Sequence, residues 1–392
     1  MGDDGRLDYR RMPKRVKRKW GTWVLAAGFL FSSFGVGLTF SGCSPERLGG
    51  GIPQVEQVAG GIPQGGAAAL PPAQDNFRWG LKAINAPVAW EITQGTADVV
   101  VAVIDSGIDH RVPQLAAVMW RNPGEIPSNG LDDDDNGYVD DVFGWDFRDN
   151  DPSSVTGTPA HWHGTFVASL IAAELDIANN TGGVAPKARI MDLRFLDSRG
   201  LFYSRDWPRL IQAIDYAVAN GARIINLSLY SKVEPPTAVH RALQRAMSAG
   251  VLVVGIAGNA GTEVGYFGKW PEVMAVGASD EEGLVAAFSN RGPEVALVGP
   301  GVKITAHGSG GIPRISSGTS FAAPHVTGTA ALILALRPTL SPNELVRILQ
   351  RTASYLEEER FATGAGLVNA AAAVEYVLTS VLDGKAEVPE EP

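Results

Sequence analysis

From Ala97 onward, near-continuous apolar runs alternate with amphipathic stretches, and this constrains the fold more than any other feature of the chain. The runs are VVVAVI (99–104), ARIMDL (188–193), RIINLSL (223–229), VLVVGIA (251–257) and EVMAVGA (272–278). They lack the every-second-residue polarity of a half-exposed strand, so each predicts a strand buried on both faces. Helical spacing falls at HGTFVASLIAAE (163–174), PRLIQAIDYAVANG (208–221), TAVHRALQRAMSAG (237–250), the run Ala322 to Leu336, and SPNELVRILQRTA (341–353). Buried strands alternating with helices predict an α/β, doubly wound fold with a mostly parallel central sheet. Ligands of such sheets bind beyond the carboxyl ends of the strands, so functional side chains are expected at strand C-termini and helix N-termini.

Four residues occupy such positions. Asp105 ends the first strand in VIDSGID, and His163 opens a helix in HWHGTFVAS. Asn259 follows a strand in GNAG, and Ser320 opens the apolar helix in SGTSFAAPHVTG. Each alone has an ordinary explanation as a turn, a cap or a helix start. At a helix N-terminus, however, backbone N–H groups favour developing negative charge, so Ser320 is placed to attack a carbonyl. A positive imidazole is disfavoured at such an end unless a carboxylate such as Asp105 offsets it. Pro324 is expected to fall in the first helical turn, where no intrahelical bond is lost.

The order Asp105, His163, Ser320, with Asn259 between the last two, resembles the subtilisin-like serine proteases over about residues 76–375. Phe166 stands where that family usually has a second His, and Ser169 where it usually has Gly. Trp162 breaks the His-Gly-Thr pattern after His161, which selects His163. The resemblance implies a serine endopeptidase acting on polypeptides, with Ser320 as nucleophile, His163 as base and Asp105 orienting it. Asn259 and the Ser320 N–H would hold the oxyanion. It also implies that substrate adds as a strand to the edge at Ser228 and Leu229, where Tyr230 replaces a small Gly. Gly265, in VGYFGKWP (264–271), would floor a pocket without an acidic group, which predicts an uncharged side chain before the scissile bond. The alternative is a catalytically silent peptide-binding lipoprotein on the same fold. An esterase is disfavoured by the triad order and by the lack of a G-x-S-x-G elbow.

Between Asp105 and His163 lies NGLDDDDNGYVDDVFGWDF (129–147). Asp132, Asp134 and Asn136 alternate before Gly137, with Asp140 and Asp141 following, a pattern of oxygen ligands that suits Ca²⁺. Phe143 occupies the twelfth position, where an EF-hand has Glu, so the loop is not an EF-hand. Gln114 stands where many relatives carry an aspartate for a strong calcium site, and LDIANNTGG (175–183) would form part of that site.

The net charge of −9 is unevenly spread: residues 1–43 carry eight Lys/Arg against three Asp/Glu, +5, which leaves −14 for the rest. An acidic body argues against a nucleic-acid partner. The basic segment RRMPKRVKRKW (10–20) precedes an apolar run from Trp23 to Phe40, the pattern of an export signal, and Met12 offers a second start. The run ends in LTFSGC, where Cys43, the one cysteine, matches the lipidated residue of bacterial lipoprotein signals. An uncleaved anchor would leave the domain on the same, extracytoplasmic side of a cell-envelope membrane. With one cysteine no intrachain disulfide can form. Residues 44–75 read as a Gly/Pro-rich linker in which GGIPQ occurs at 50–54 and 60–64, too short for the pro-domain of many secreted relatives. The peptidase domain is expected over 76–383, as a monomer, with a disordered acidic tail at 384–392.

Overall fold

Val100–Asp105 forms a strand whose six residues are all buried, and its neighbours divide between two apolar layers. Val101 and Val103 join one cluster, with Ile171, Ala330 and Leu334; Ala102 and Ile104 join the other, with Leu210, Ile214 and Leu243. Full burial of such a side chain stabilises by roughly 1.5–3 kcal/mol, so a polar residue at any of these positions would be costly. In the computed structural model, the described residues are 58–61, 79–152, 161–175, 182–357 and 360–382. The chain divides into two units, Met1–Gln54 and Val55–Pro392, and every described residue belongs to the second. Cys43, residues 1–43, most of the linker and the tail at 384–392 lie outside the described residues.

The strands are β1 (Val58–Gly61), β2 (Val100–Asp105), β3 (Gly144–Asp146), β4 (Arg189–Arg194), β5 (Leu201–Tyr203) and β6 (Ile224–Leu227). They continue as β7 (Tyr230–Ser231), β8 (Leu252–Ile256), β9 (Val273–Ser279), β10 (Val295–Pro300), β11 (Ile304–His307) and β12 (Pro313–Ser316). Seven build the central sheet in the order β10–β9–β8–β6–β2–β4–β3, with every adjacent pair parallel. The expected mostly parallel sheet is thus wholly parallel, and antiparallel pairing is confined to two small sheets, β5–β1–β7 and β11–β12. From β2 the chain builds one side of the sheet (β3, β4) and then the other (β6, β8, β9, β10). The order therefore reverses at β2, where such folds open a crevice.

Helices Trp207–Ala219 and Thr237–Ser248 cover one face. The other carries Trp162–Ala172, Thr319–Leu336, Pro342–Arg351 and Ala370–Leu382. The start of Pro342–Arg351 is set by SPNE: Glu344 N–H donates to Ser341 Oγ at 3.3 Å and Ser341 N–H donates to Glu344 Oε2 at 2.7 Å. Thr319–Leu336 is apolar all round and buried without a break from Thr319 to Leu334, the signature of a helix surrounded by core.

Candidate active site

Asp105 and His163 meet because two elements approach to backbone contact. His163 lies in the first turn of Trp162–Ala172 and Asp105 at the end of β2. A Cβ on Gly164 would fall 2.5 Å from the carbonyl oxygen of Gly107, so only glycine lets this helix come so near the aspartate loop. Ser106 ties the two together: its Oγ donates to the His161 carbonyl at 2.9 Å and accepts from Gly164 N–H at 3.0 Å. His163 Nδ1 then lies 2.9 and 3.0 Å from the two Asp105 oxygens, with both residues buried. Asp105 Oδ1 also accepts from Ser106 N–H at 2.7 Å, which fixes the carboxylate plane. The carboxylate holds the proton on Nδ1, leaving Nε2 as the basic nitrogen. That nitrogen is buried without a hydrogen-bond partner.

His161 is the N-cap of the same helix, accepting from His163 N–H at 3.4 Å, and burial followed by the nearby His163 pushes it down to about 4. It is neutral at pH 7 and does not bond to Asp105. Phe166 is fully buried against Phe321, ring centroids 4.7 Å apart, and Phe321 in turn lies 5.3 Å from His163. An apolar residue thus fills a place where the resemblance leads one to expect a second histidine.

Ser320 is the second residue of Thr319–Leu336, beside Phe321. Because the helix begins at Thr319, Pro324 sits beyond the first turn, contrary to expectation, and it removes the bond its N–H would give the Ser320 carbonyl. Ser228 replaces that donor: its Oγ donates to the Ser320 carbonyl at 3.1 Å. Asn226 Nδ2 donates to Ser228 Oγ at 2.8 Å and Thr327 Oγ1 donates to Asn226 Oδ1 at 2.8 Å. This buried chain of bonds fastens the helix start to the end of β6. Ser320 Oγ itself donates to the Ser228 carbonyl over a long 3.5 Å. Asn259 Oδ1 accepts from Thr319 N–H at 2.9 Å and Thr319 Oγ1 at 2.6 Å. With its oxygen so used, the amide orientation follows from the network, and Nδ2 lies 3.1 Å from where a Gly318 Cβ would be. One turn on, His325 is buried in the helix, its Nδ1 donating to the Phe321 carbonyl at 2.8 Å, and burial pushes it down to about 4.

The four residues at the substrate edge do not behave alike. Leu229 is buried in the core, so its side chain faces away from solvent and only its backbone is available. Tyr230, Asn259 and Gly265 line one open pocket of about 400 Å³. A Cβ at Gly265 would meet nothing nearer than the Ala257 carbonyl at 3.6 Å, so its lack of a side chain leaves the pocket open. Glu263 is at this pocket too, bound to Lys269 Nζ at 2.7 Å, an acidic group that the sequence reading did not place there.

The acidic insert is ordered by its own backbone. Asp132 accepts from the Asn136 and Gly137 N–H groups, and Asp140 from those of Asn129 and Gly130. Asp141 is buried and takes hydrogen bonds from Tyr216 Oη, Asn122 Nδ2 and Asn136 Nδ2. Carboxylate oxygens of Asp132 and Asp134 come together with one from Glu125, all within 4.8 Å of one another. Glu125, which reading the sequence missed, is pushed up by burial first and then by the neighbouring aspartates. It could have been found only from the fold, since PGEIP precedes the acidic run without sharing its spacing. Asn136 turns its amide nitrogen to Asp134 and Asp141, while its oxygen accepts from Tyr138 N–H at 2.8 Å. Gln114 receives the Glu174 N–H on its carbonyl at 2.8 Å, while 176–181 lie outside the described residues.

A buried carboxylate–imidazole pair and a serine at a helix start, at the carboxyl edge of a parallel sheet, define a serine-hydrolase type of site. The Subtilase family model matches residues 96–368, and the chain belongs to that family. It is 36% identical over 304 residues to Subtilisin E of Bacillus subtilis, covering 76% of this chain and 71% of that protein. It is 35% identical over 304 residues to a Subtilisin of Bacillus pumilus, covering 76% and 98%. Against the Thermostable alkaline protease of Halalkalibacterium halodurans it is 39% identical over 216 residues, 54% and 58% of the two chains. The protein is a serine-type endopeptidase of the subtilase family.

Proposed function

We propose that Ser320, His163 and Asp105 form the catalytic triad of this endopeptidase. The observation that carries the assignment is His163 itself, with Nδ1 on Asp105 and a buried Nε2 free to take a proton. Ser320 Oγ leaves its long bond to the Ser228 carbonyl, passes its proton to Nε2 and bonds to the scissile carbonyl carbon. The carbonyl electron pair becomes an oxyanion held by Asn259 Nδ2 and Ser320 N–H. The imidazolium then protonates the departing amine as the C–N bond breaks, and water repeats the sequence on the acyl-enzyme. Substrate pairs as a strand with the Ser228–Tyr230 edge, with Gly265 and Tyr230 shaping the pocket for the residue before the cut.

Glu125, Asp132 and Asp134 would hold a calcium ion, an all-oxygen set suited to a hard cation; bound there, it would neutralise the gathered carboxylates and stiffen the insert. Lipidation at Cys43 would tether the enzyme to a bacterial cell-envelope membrane, with 44–75 as spacer, 76–383 as the peptidase domain and 384–392 as a tail. The test is labelling of the full chain with a fluorophosphonate, which modifies only activated serines, with Ser320→Ala as control. Modification at Ser320 alone is expected; a folded chain that stays unlabelled overturns the triad.

A further inference from the structure

The hairpin β11–β12 runs into Gly318 and the helix that carries Ser320, and its course is fixed at both ends. Ile304 and Ala306 pack with Phe166, Phe321 and Trp162. At the tip, Gly310 N–H donates to Asp109 Oδ2 at 2.8 Å, which ties the hairpin to the loop that follows Asp105. Arg314 stands opposite Ala306, and its side chain lies against Gly308, where a Cβ would fall 2.8 Å from Arg314 Cδ and Nε. The missing side chain at Gly308 is thus the room in which the arginine lies. Its guanidinium sits over the Trp162 ring, with Cζ 5.3 Å from the centroid. Trp162 in turn stacks on Phe321 at 6.2 Å and meets the His163 ring edge-on at 5.7 Å. A guanidinium, charged at every working pH, is therefore mounted one aromatic ring away from the imidazole.

No described carboxylate neutralises that charge. Among the described residues Arg314 has no ion-pair partner, and its Nε is buried without a hydrogen bond. Asp109, the carboxylate tied to the hairpin tip, is already engaged by Arg111 Nε at 2.8 Å and by Gly310. Where the cation acts follows from the reaction. The acyl half of a substrate is held along Ser228–Tyr230, with its last side chain in the pocket of Tyr230, Asn259 and Gly265. Trp162, Phe321 and Arg314 do not line that pocket. They flank His163, whose Nε2 protonates the departing amine, so the chain beyond the cut begins at the imidazole. An extended chain advances about 3.3–3.6 Å per residue, which brings the first or second residue past the cut alongside Trp162 and Arg314.

We infer that Arg314, seated on Trp162, is a specificity-determining residue that selects substrates with an Asp or Glu side chain at the first or second position after the scissile bond. The inference rests on the reading of Ser320 and His163 as nucleophile and base. A carboxylate laid there would pair with the guanidinium through charge-assisted hydrogen bonds, strengthened by the aromatic rings that exclude water around it.

The test uses the full chain and peptides that differ only at those two positions, Glu against Gln. In the parent, kcat/KM for Glu is expected to exceed that for Gln roughly tenfold. The ratio should shrink as salt is raised from about 0.05 to about 0.5 M. Arg314→Gln should bring it close to one, and Arg314→Glu should favour Lys over Gln at the same positions. A ratio that persists in Arg314→Gln would place the selection elsewhere, and an acidic preference found only before the cut would overturn the assignment. If the variants fail to fold by circular dichroism, the parent decides, since a parent ratio near one disposes of the inference. Fluorophosphonate labelling separates the two readings: a labelled parent without the preference overturns this inference alone, whereas a folded, unlabelled parent overturns the triad and the inference together.

Discussion

The proposed triad and the acidic insert are both built from carboxylates, yet they are held by opposite means. Asp105 is buried, and its fit to His163 is set by helix approach at Gly164 and by the Ser106 bonds. Asp133 is exposed, Asp132 and Asp140 are half-buried, and all three are held by N–H groups of the loop they belong to. In the first region the fold dictates the geometry and the charges follow; in the second the charges themselves set the shape. Preorganisation of the first kind needs no ion, whereas gathered carboxylates of the second kind repel until something positive joins them.

The widest separation between the two regions should come from Ser320→Ala. Removing the proposed nucleophile is expected to lower kcat by about 10⁶-fold, the magnitude seen in subtilisin, with the melting temperature nearly unchanged. A drop confined to tenfold in steady-state hydrolysis would show that another group carries the chemistry. Next in size is Asn259. Substitution by Ala removes both the proposed oxyanion donor and the acceptor for Thr319, so it should lose about 10²–10³ in kcat and also about 1–3 kcal/mol of stability. Asn259→Asp keeps the acceptor and should restore the stability but not the rate. If Asp restores both, the amide is a structural turn residue.

His325 sharpens the comparison through pH. Its folded pKa is pushed down to about 4 by burial from an ordinary 6.5, so the unfolded chain takes up the proton first as the pH falls. Its contribution is complete above pH 6.5 and is lost progressively toward pH 4, reaching about 3 kcal/mol. His161 acts in the same direction. Denaturant titrations should therefore show stability falling over this window, and His325→Gln should flatten the fall; an equally steep curve in the variant would place the proton uptake elsewhere. Smallest is the insert. Calcium at about 100 times its dissociation constant should raise the melting temperature by roughly 5–10 °C, and Asp134→Asn should abolish the rise. Because the insert lies outside the triad, kcat at 25 °C should move little with either change.

The apolar runs were legible because parallel strands buried on both faces leave continuous signals, and five of the seven central strands fall within a residue or two of them. β3 and β10 leave no comparable signal: GWD is too short to show a period, and VALVGP ends in Gly and Pro, residues that suit a turn as well as a strand. At the site, Asp105, His163, Asn259 and Ser320 could be read from their places at element ends. Thr319, Asn226 and Thr327 could not, since a threonine or an asparagine becomes a support only once its partner is known. Pro324 falls inside the helix because the helix starts at Thr319, a boundary that pattern alone leaves loose. β1 carries no strand signal of its own: Val-Ala-Gly-Gly pairs because two edges await it, and the residues that order it lie more than a hundred positions away.

The helix Thr319–Leu336 is enclosed by the core along nearly its whole length, and Ser320, the proposed nucleophile, sits at its mouth. A serine on a mobile loop could be disarmed while the body of a protein stayed intact. Here the proposed nucleophile is mounted on the keel of the domain, so anything that loosens the interior also misaligns it. Hydrolytic turnover thereby becomes a gauge of the core: heat inactivation and global unfolding should follow one curve. Variation in what the enzyme cuts is left to the loops, because the keel has no slack to give.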